Sequence, residues 1–139
     1  MTKKKVFCSG ALIVEDSRFL FGKRIDGELN YAGMWDVIGG HNENDENPEQ
    51  TLNRELMEEL GIEAINPELF YQVTVDDDPS EDPYQFYIFL VRQWTGEISN
   101  CSNEHSELRW FTENELRDVT LSSTNYWLLI DKWKNGGSR

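Results

Sequence analysis

The stretch from Gly40 to Ile62 constrains this chain more than any other. Its middle carries the local signals of a helix. Asn47 is a good N-cap, Pro48 suits the first helical position, and Gln50 completes an Asn-x-x-Gln capping box. Gly61 follows as a C-terminal stop. Leu52, Leu56 and Leu60 recur every four residues and form one apolar stripe. The spacing predicts a helix over Pro48 to Leu60, with one face on a core and another free for charge.

That other face is acidic. Glu55, Glu58 and Glu59 stand at i, i+3 and i+4, which a period of about 3.6 residues places on one side of the helix. Carboxylates so placed repel one another unless cations neutralise them, and hard divalent cations prefer oxygen ligands of this kind. Arg54 precedes them and can hold a carboxylate through a planar pair of hydrogen bonds. Glu46, just ahead of the helix, is in place to close onto Arg54. The pair Gly39-Gly40 lets the backbone come close to a ligand and frees a carbonyl to face it. A Glu-rich helix taken alone is more often an ordinary solvated surface, so the weight rests on the whole spacing.

That spacing matches the Nudix box, G-x5-E-x7-R-E-U-x-E-E-x-G-U with U a bulky apolar residue, at Gly40, Glu46, Arg54, Glu55, Leu56, Glu58, Glu59, Gly61 and Ile62. The chain therefore resembles the Nudix hydrolase family and its MutT-like members. Weaker likeness extends to Phe21-Gly22-Lys23-Arg24, Gly33-Met34-Trp35-Asp36 and Glu107-Leu108-Arg109-Trp110-Phe111. Ile38 stands where many members carry a proline, which implies a small change in loop rigidity.

The resemblance implies an α/β/α sandwich with a mixed sheet, the box forming a loop-helix-loop beside it, and hydrolysis of nucleoside diphosphates linked to a further group. It implies Mg²⁺, with Mn²⁺ as a substitute, held by Glu55 and Glu59, with Glu58 a further ligand or an activator of water. The Gly40 carbonyl would also face the metal, and Arg54 and Glu46 would orient the cluster. The general base is open between Glu58 and Glu104, which lies where MutT-like members place a loop glutamate; Glu107 and His105 are weaker neighbours. His105 and His41 are expected to face solvent. Lys23 and Arg24 are candidates for substrate phosphates. Trp35, Tyr31 and Phe86 are candidates for stacking on a base, against a stronger expectation of core packing. Gly61 is structural.

The rest of the chain fits a layered α/β domain. Val6 to Val14 is nearly continuous in apolar residues and reads as a buried strand. Glu15-Asp16-Ser17 is a turn before a second strand, Phe19 to Lys23, and Asp26-Gly27-Glu28 begins a loop. A short strand over Gly33 to Gly40, strands over Glu68 to Val75, Tyr84 to Trp94 and Leu108 to Phe111, a short helix after Thr112, and a last helix over Ser122 to Lys134 complete the expectation. That last helix is expected to bury Tyr126, Trp127, Leu129, Ile130 and Trp133. Gly136 to Arg139 reads as a frayed tail.

At 139 residues the chain is expected to be one domain, with 38% hydrophobic and 12% aromatic residues, too many for a disordered segment. The net charge of −13 disfavours a nucleic-acid partner. Lys3 to Lys5 reads as a solvated tail, and the acidic run Asp76 to Pro83 as a solvated hairpin loop. No apolar run reaches membrane-spanning length, and no targeting segment is evident, which favours the cytoplasm. Cys8 and Cys101 have no metal-type spacing and are expected as free thiols. A homodimer is left open.

Substrate signals beyond the box are sparse. Asp76 and Asp77 occupy the zone where ADP-ribose hydrolases carry a proline, and Pro79 and Ser80 the zone where dinucleoside polyphosphate hydrolases carry a tyrosine. The SQPWPFPxS array of NADH-cleaving members is missing. The remaining lean is toward a nucleoside triphosphate pyrophosphohydrolase releasing a monophosphate and pyrophosphate, with 8-oxo-dGTP one candidate. ADP-ribose or nucleotide-sugar hydrolysis, and a sensor that binds nucleotides without cutting them, stay as alternatives. Sensors typically lose box glutamates, and here all are present.

Overall fold

A computed structural model describes residues 6–25, 33–76, 79–80 and 82–137. The apolar run near the N-terminus becomes strand β1, Phe7–Glu15, buried along its length up to Val14. It is covered on both faces because it sits centrally. On one edge it pairs in parallel with β7, Tyr84–Val91. On the other it pairs with two antiparallel strands in succession: residues 8–11 with β4, Ile38–His41, and residues 13–15 with β2, Arg18–Arg24. The tight β1–β2 turn uses Asp16 and Ser17, both at positive φ.

β2 in turn pairs with β3, Trp35–Asp36, and with β9, His105–Phe111, while β6, Glu68–Val75, forms a hairpin with β7. The seven-stranded sheet is mixed, as expected. Two small strands that sequence reading did not separate, β5 at Glu63–Ala64 and β8 at Trp94–Thr95, make a ribbon of their own. The expected single strand over Gly33 to Gly40 divides into β3 and β4, which join different partners. Ile38 is a fully buried strand residue opposite Ala11.

Helix α1 spans Pro48–Leu60, with both halves of the Asn47–Gln50 capping box formed at 2.8 and 2.9 Å and Gly61 left-handed at the C-cap. Its Leu52, Leu56 and Leu60 pack with Ala11, Ile13, Ile38, Phe89 and Val91 on one face of the sheet. Ser9 Oγ donates to the Pro48 carbonyl at 2.8 Å, fixing the helix start to β1. The opposite face holds an aromatic core. Leu12, Phe19, Phe21, Trp35 and Phe111 pack there with Leu116 of the short helix α2, Glu113–Leu116, and with Tyr126, Leu129 and Ile130 of α3, Asn125–Lys132.

The helix pattern over Ser122 to Lys134 is therefore shorter than expected. Thr124 makes no side-chain cap, and the chain leaves α3 through a π-helical turn, Trp133–Gly137. Trp127 and Trp133 are only partly buried. Gly136 lies within that turn; Ser138 and Arg139 fall outside the described residues, as do Lys3 to Lys5, Asp26 to Glu28, Tyr31, Asp77, Asp78 and Glu81. Among the described residues no helix is long and apolar enough to cross a membrane.

Candidate metal centre

Arg54 and Glu46 build the frame of the box. Arg54 Nε donates to Glu46 Oε2 at 2.7 Å and Nη2 to Glu46 Oε1 at 3.1 Å, a two-pronged pair. Glu46 Oε1 also accepts from Thr51 Oγ1 and from the Glu43 amide. The Arg54 hydrogen bonds, helped by these donors, hold the Glu46 carboxyl down at about 2 from an ordinary 4.5. The same hydrogen bonds raise the already high proton affinity of the guanidinium. From this anchored position Arg54 reaches further, donating to the His41 carbonyl at 2.8 Å, to Glu55 Oε2 at 2.7 Å and to Glu58 Oε2 at 3.1 Å. One cation thus ties the loop before α1 to the acidic face of the helix.

The acids separate from there. Glu55, Glu59 and Glu104 bring carboxylate oxygens within 4.8 Å of one another. Glu58 does not join them. The helical period explains the difference: relative to Glu55, i+4 lies about 40° to one side and i+3 about 60° to the other. Glu59 turns under the loop carrying Glu104, while Glu58 turns out to solvent beside Arg54, its side chain 55% exposed. Glu58 shares Arg54 with Glu55 and lies on the rim of the cluster.

Glu59 is the unusual member. It is 2% exposed, and neither side-chain oxygen has a hydrogen-bond partner among the described residues. Burial, reinforced by the adjacent Glu104 and then Glu55 carboxylates, holds its proton affinity far above the carboxylate range. A buried, unpartnered carboxylate among like charges is costly unless a cation completes it. The oxygen donor set suits a hard divalent ion. Gly40 adds a cradle: a Cβ there would fall 2.5 Å from Glu55 Oε1. Gly39 must also be glycine, since its Cβ would lie 2.1 Å from the Ser9 carbonyl oxygen across the β1–β4 pairing.

The loop bearing Glu104 is fixed by the end of α1. The Ser99 amide donates to the Leu60 carbonyl and the Cys101 amide to the Glu59 carbonyl, at 3.1 and 2.9 Å, using acceptors a helix end leaves free. Cys101 is exposed and Cys8 buried.

Several side chains fall elsewhere than expected. His105 is not solvent-facing but 6% exposed, with burial lowering its proton affinity against the pull of Asp36 and Glu104. Its burial escaped sequence reading because it depends on an irregularity in strand pairing. Trp35 is a core residue, 4% exposed and edge-on to Phe111 with the Arg109 guanidinium over its ring, so it offers no open face to a base. The core-packing expectation holds for it. Arg24 is paired with Asp36 at 3.3 Å, and Asp36 also accepts from the Tyr126 hydroxyl. Lys23 is half-buried at the end of β2, and Phe86 packs partly buried against the aromatic core.

Comparison with known proteins agrees with this geometry. The NUDIX domain family model matches residues 6–129. An 8-oxo-dGTP diphosphatase of Proteus vulgaris is 32% identical over 99 residues, covering 71% of this chain and 87% of that protein. A CTP pyrophosphohydrolase of Escherichia coli strain K12 is 31% identical over 126 residues, covering 91% and 90%. The crystal structure of a MutT NUDIX hydrolase from Burkholderia pseudomallei superposes with a TM-score of 0.80 at 26% identity, covering 94% of this chain and 98% of that one. With its clustered carboxylates, mixed sheet and matched domain, the chain belongs to the Nudix family and is a phosphohydrolase acting on a nucleotide diphosphate.

Proposed function

We propose that the protein is a MutT-like nucleoside triphosphate pyrophosphohydrolase, releasing a nucleoside monophosphate and pyrophosphate. The observation that carries the hydrolytic reading is the cluster of Glu55, Glu59 and Glu104 around buried, unpartnered oxygens. The triphosphate reading draws on two relatives above 30% identity, one named for 8-oxo-dGTP and the other for CTP.

In this reading Glu55 and Glu59 hold a divalent cation, Mg²⁺ with Mn²⁺ as a substitute, the Gly40 carbonyl also faces it, and Glu104 stands beside it. Bound there, the cation supplies Lewis-acid polarisation of the phosphate and a lower pKa for water. Arg54 and Glu46 keep Glu55 aimed, so the ligand geometry exists before substrate arrives. Water attacks phosphorus in line and its proton passes to a carboxylate. Glu104 is the better base of the two candidates, because it belongs to the cluster and is open to solvent, whereas Glu58 is engaged by Arg54. Lys23 meets the outer phosphates, and Arg24, steadied by Asp36, lies one residue on. A small nucleotide rather than a nucleic acid suits a chain of net charge −13, and the reading is of a cytoplasmic enzyme whose exposed Cys101 stays reduced.

The test is a turnover screen with Mg²⁺, and with EDTA as control, over 8-oxo-dGTP, CTP, the other nucleoside triphosphates, ADP-ribose and nucleotide sugars. Metal-dependent release of pyrophosphate from a triphosphate is expected. Turnover confined to ADP-ribose or a nucleotide sugar would overturn the substrate class. Silence from folded protein that binds Mg²⁺ would overturn hydrolysis of this panel.

A further inference from the structure

Register along β2 and β9 shifts where Lys23 faces Glu107 but Arg24 faces His105. Ser106 is therefore the extra residue of a β-bulge. Leu108 and Trp110 of β9 point toward the α1 face, and regular alternation would have sent position 106 there and 105 to the other side. The bulge reverses this, leaving Ser106 exposed and burying His105 on the α1 face. Gly22 makes the room: a Cβ there would lie 2.5 Å from His105 Cδ2. Two local departures, a bulge and a glycine inside a strand, thus serve one imidazole.

That imidazole meets Glu59. His105 Nδ1 is 3.5 Å from Glu59 Oε1, with side chains 4% and 2% exposed. Among the described residues, neither Nδ1 nor either Glu59 oxygen has a hydrogen-bond partner. A carboxylate that gives one oxygen to a cation keeps a second that must be satisfied, and carboxylate ligands are normally held by such an outer donor. Arg54 cannot serve, being committed to Glu46, Glu55, Glu58 and the His41 carbonyl. Closing the gap by a few tenths of an ångström brings Nδ1 within hydrogen-bond range. Contacts of this kind are often long before a site is filled.

We propose that His105 is a positioning residue for this centre: its Nδ1–H donates to Glu59 Oε1 and leaves Oε2 aimed at the divalent cation. The inference rests on the metal-dependent hydrolase reading of the same site. It also specifies the tautomer, since an imidazole whose hydrogen sat on Nε2 would turn a lone pair toward the carboxylate.

The experiment compares wild type with His105→Leu, His105→Asn and His105→Gln. The Asn amide nitrogen can take the place of Nδ1, and the Gln amide that of Nε2. Mn²⁺ affinity is read by titration, and kcat and KM by turnover of the best nucleotide. Leu and Gln should weaken Mn²⁺ binding about 10–100-fold and lower kcat more than they raise KM, while Asn should recover most of both. Should the Leu variant not fold, the Asn and Gln pair decides, together with ¹⁵N spectra of the wild-type imidazole with Mg²⁺, which should show the hydrogen on Nδ1. Equal behaviour of Asn and Gln, an unaffected Leu variant, or a hydrogen on Nε2 would overturn the proposal. If wild type neither binds Mn²⁺ nor turns over any nucleotide, the hydrolase reading fails and this inference falls with it. If wild type does both and the variants match it, only the inference falls.

Discussion

Leu12 and Ile13 are neighbours on β1, both fully buried, and they look onto different chemistry. Leu12 faces a layer in which Phe21 and Phe111 meet edge to face, Trp35 lies against Phe111, and α3 closes the stack. Ile13 faces α1, whose leucines form an equally dry floor, but one turn around the same helix Glu55 and Glu59 are buried as well. Apolar burial stabilises at about 25 cal/mol per Å², and the aromatic face supplies it without interruption. The α1 face carries carboxyl groups in a water-poor place, where ionising them costs stability until a cation arrives. The contrast teaches that one side of the sheet maintains the fold while the other is held in readiness.

If that division is right, substitutions on the two faces should fail in different ways. The largest effect belongs to the aromatic side. Phe111→Ala should cost about 3–5 kcal/mol of stability, read by denaturant unfolding, while the protein that stays folded keeps its kcat. A large loss of kcat in folded protein would mean that the aromatic face serves the centre as well.

Glu59→Gln should do the reverse, lowering turnover on the order of 10²–10³-fold, about 3–4 kcal/mol in barrier height, and raising the thermal midpoint of the metal-free protein. The sign follows from linkage. The folded state holds the Glu59 proton more tightly than the unfolded state, whose value lies near 4.5. From that pH upward the unfolded state loses a proton that the folded state keeps, so metal-free stability falls as pH rises through neutrality. The Gln variant should lack this decline, and a thermal scan from pH 5 to pH 8 with EDTA checks it. An unchanged slope would mean that Glu59 is not the strained group.

A smaller effect is expected at Gly40→Ala. The new methyl would displace the Glu55 carboxylate, weakening Mg²⁺ binding about tenfold, or about 1.4 kcal/mol, with native stability nearly kept. The smallest belongs to the exposed pair Arg109–Glu107 at 2.8 Å. Glu107→Gln should change stability by less than about 1 kcal/mol and turnover hardly at all. Measurable loss of activity there would bring Glu107 back among the reacting groups.

The sequence made α1 legible to the residue because its limits are set locally. Asn47 and Gln50 satisfy each other's backbone amides, and Gly61 takes a backbone shape that other residues resist. That Glu55 and Glu59 share one side of α1 followed from the period of the same helix. What escaped depended on partners distant in the chain. β5 and β8 are two residues each and exist only because they face one another. His105 faces inward through an irregular pairing with β2, and no periodicity along β9 announces that. α3 starts at Asn125 and not at Ser122 because the Ser122 amide bonds to the Trp35 carbonyl across the molecule. Spacing set Glu58 apart from Glu55 and Glu59 only in role, and its distance from Glu104 depends on a loop about forty-five residues further along the chain.

The two thiols give the protein a built-in reporter. Cys8 is shielded within β1, while Cys101 is exposed and its own amide is bonded to the Glu59 carbonyl. A maleimide dye would therefore attach at one place, three residues from Glu104, without any engineered cysteine. Its fluorescence would register ion arrival and nucleotide exchange in real time, making the pre-steady-state kinetics of the centre accessible in the native sequence.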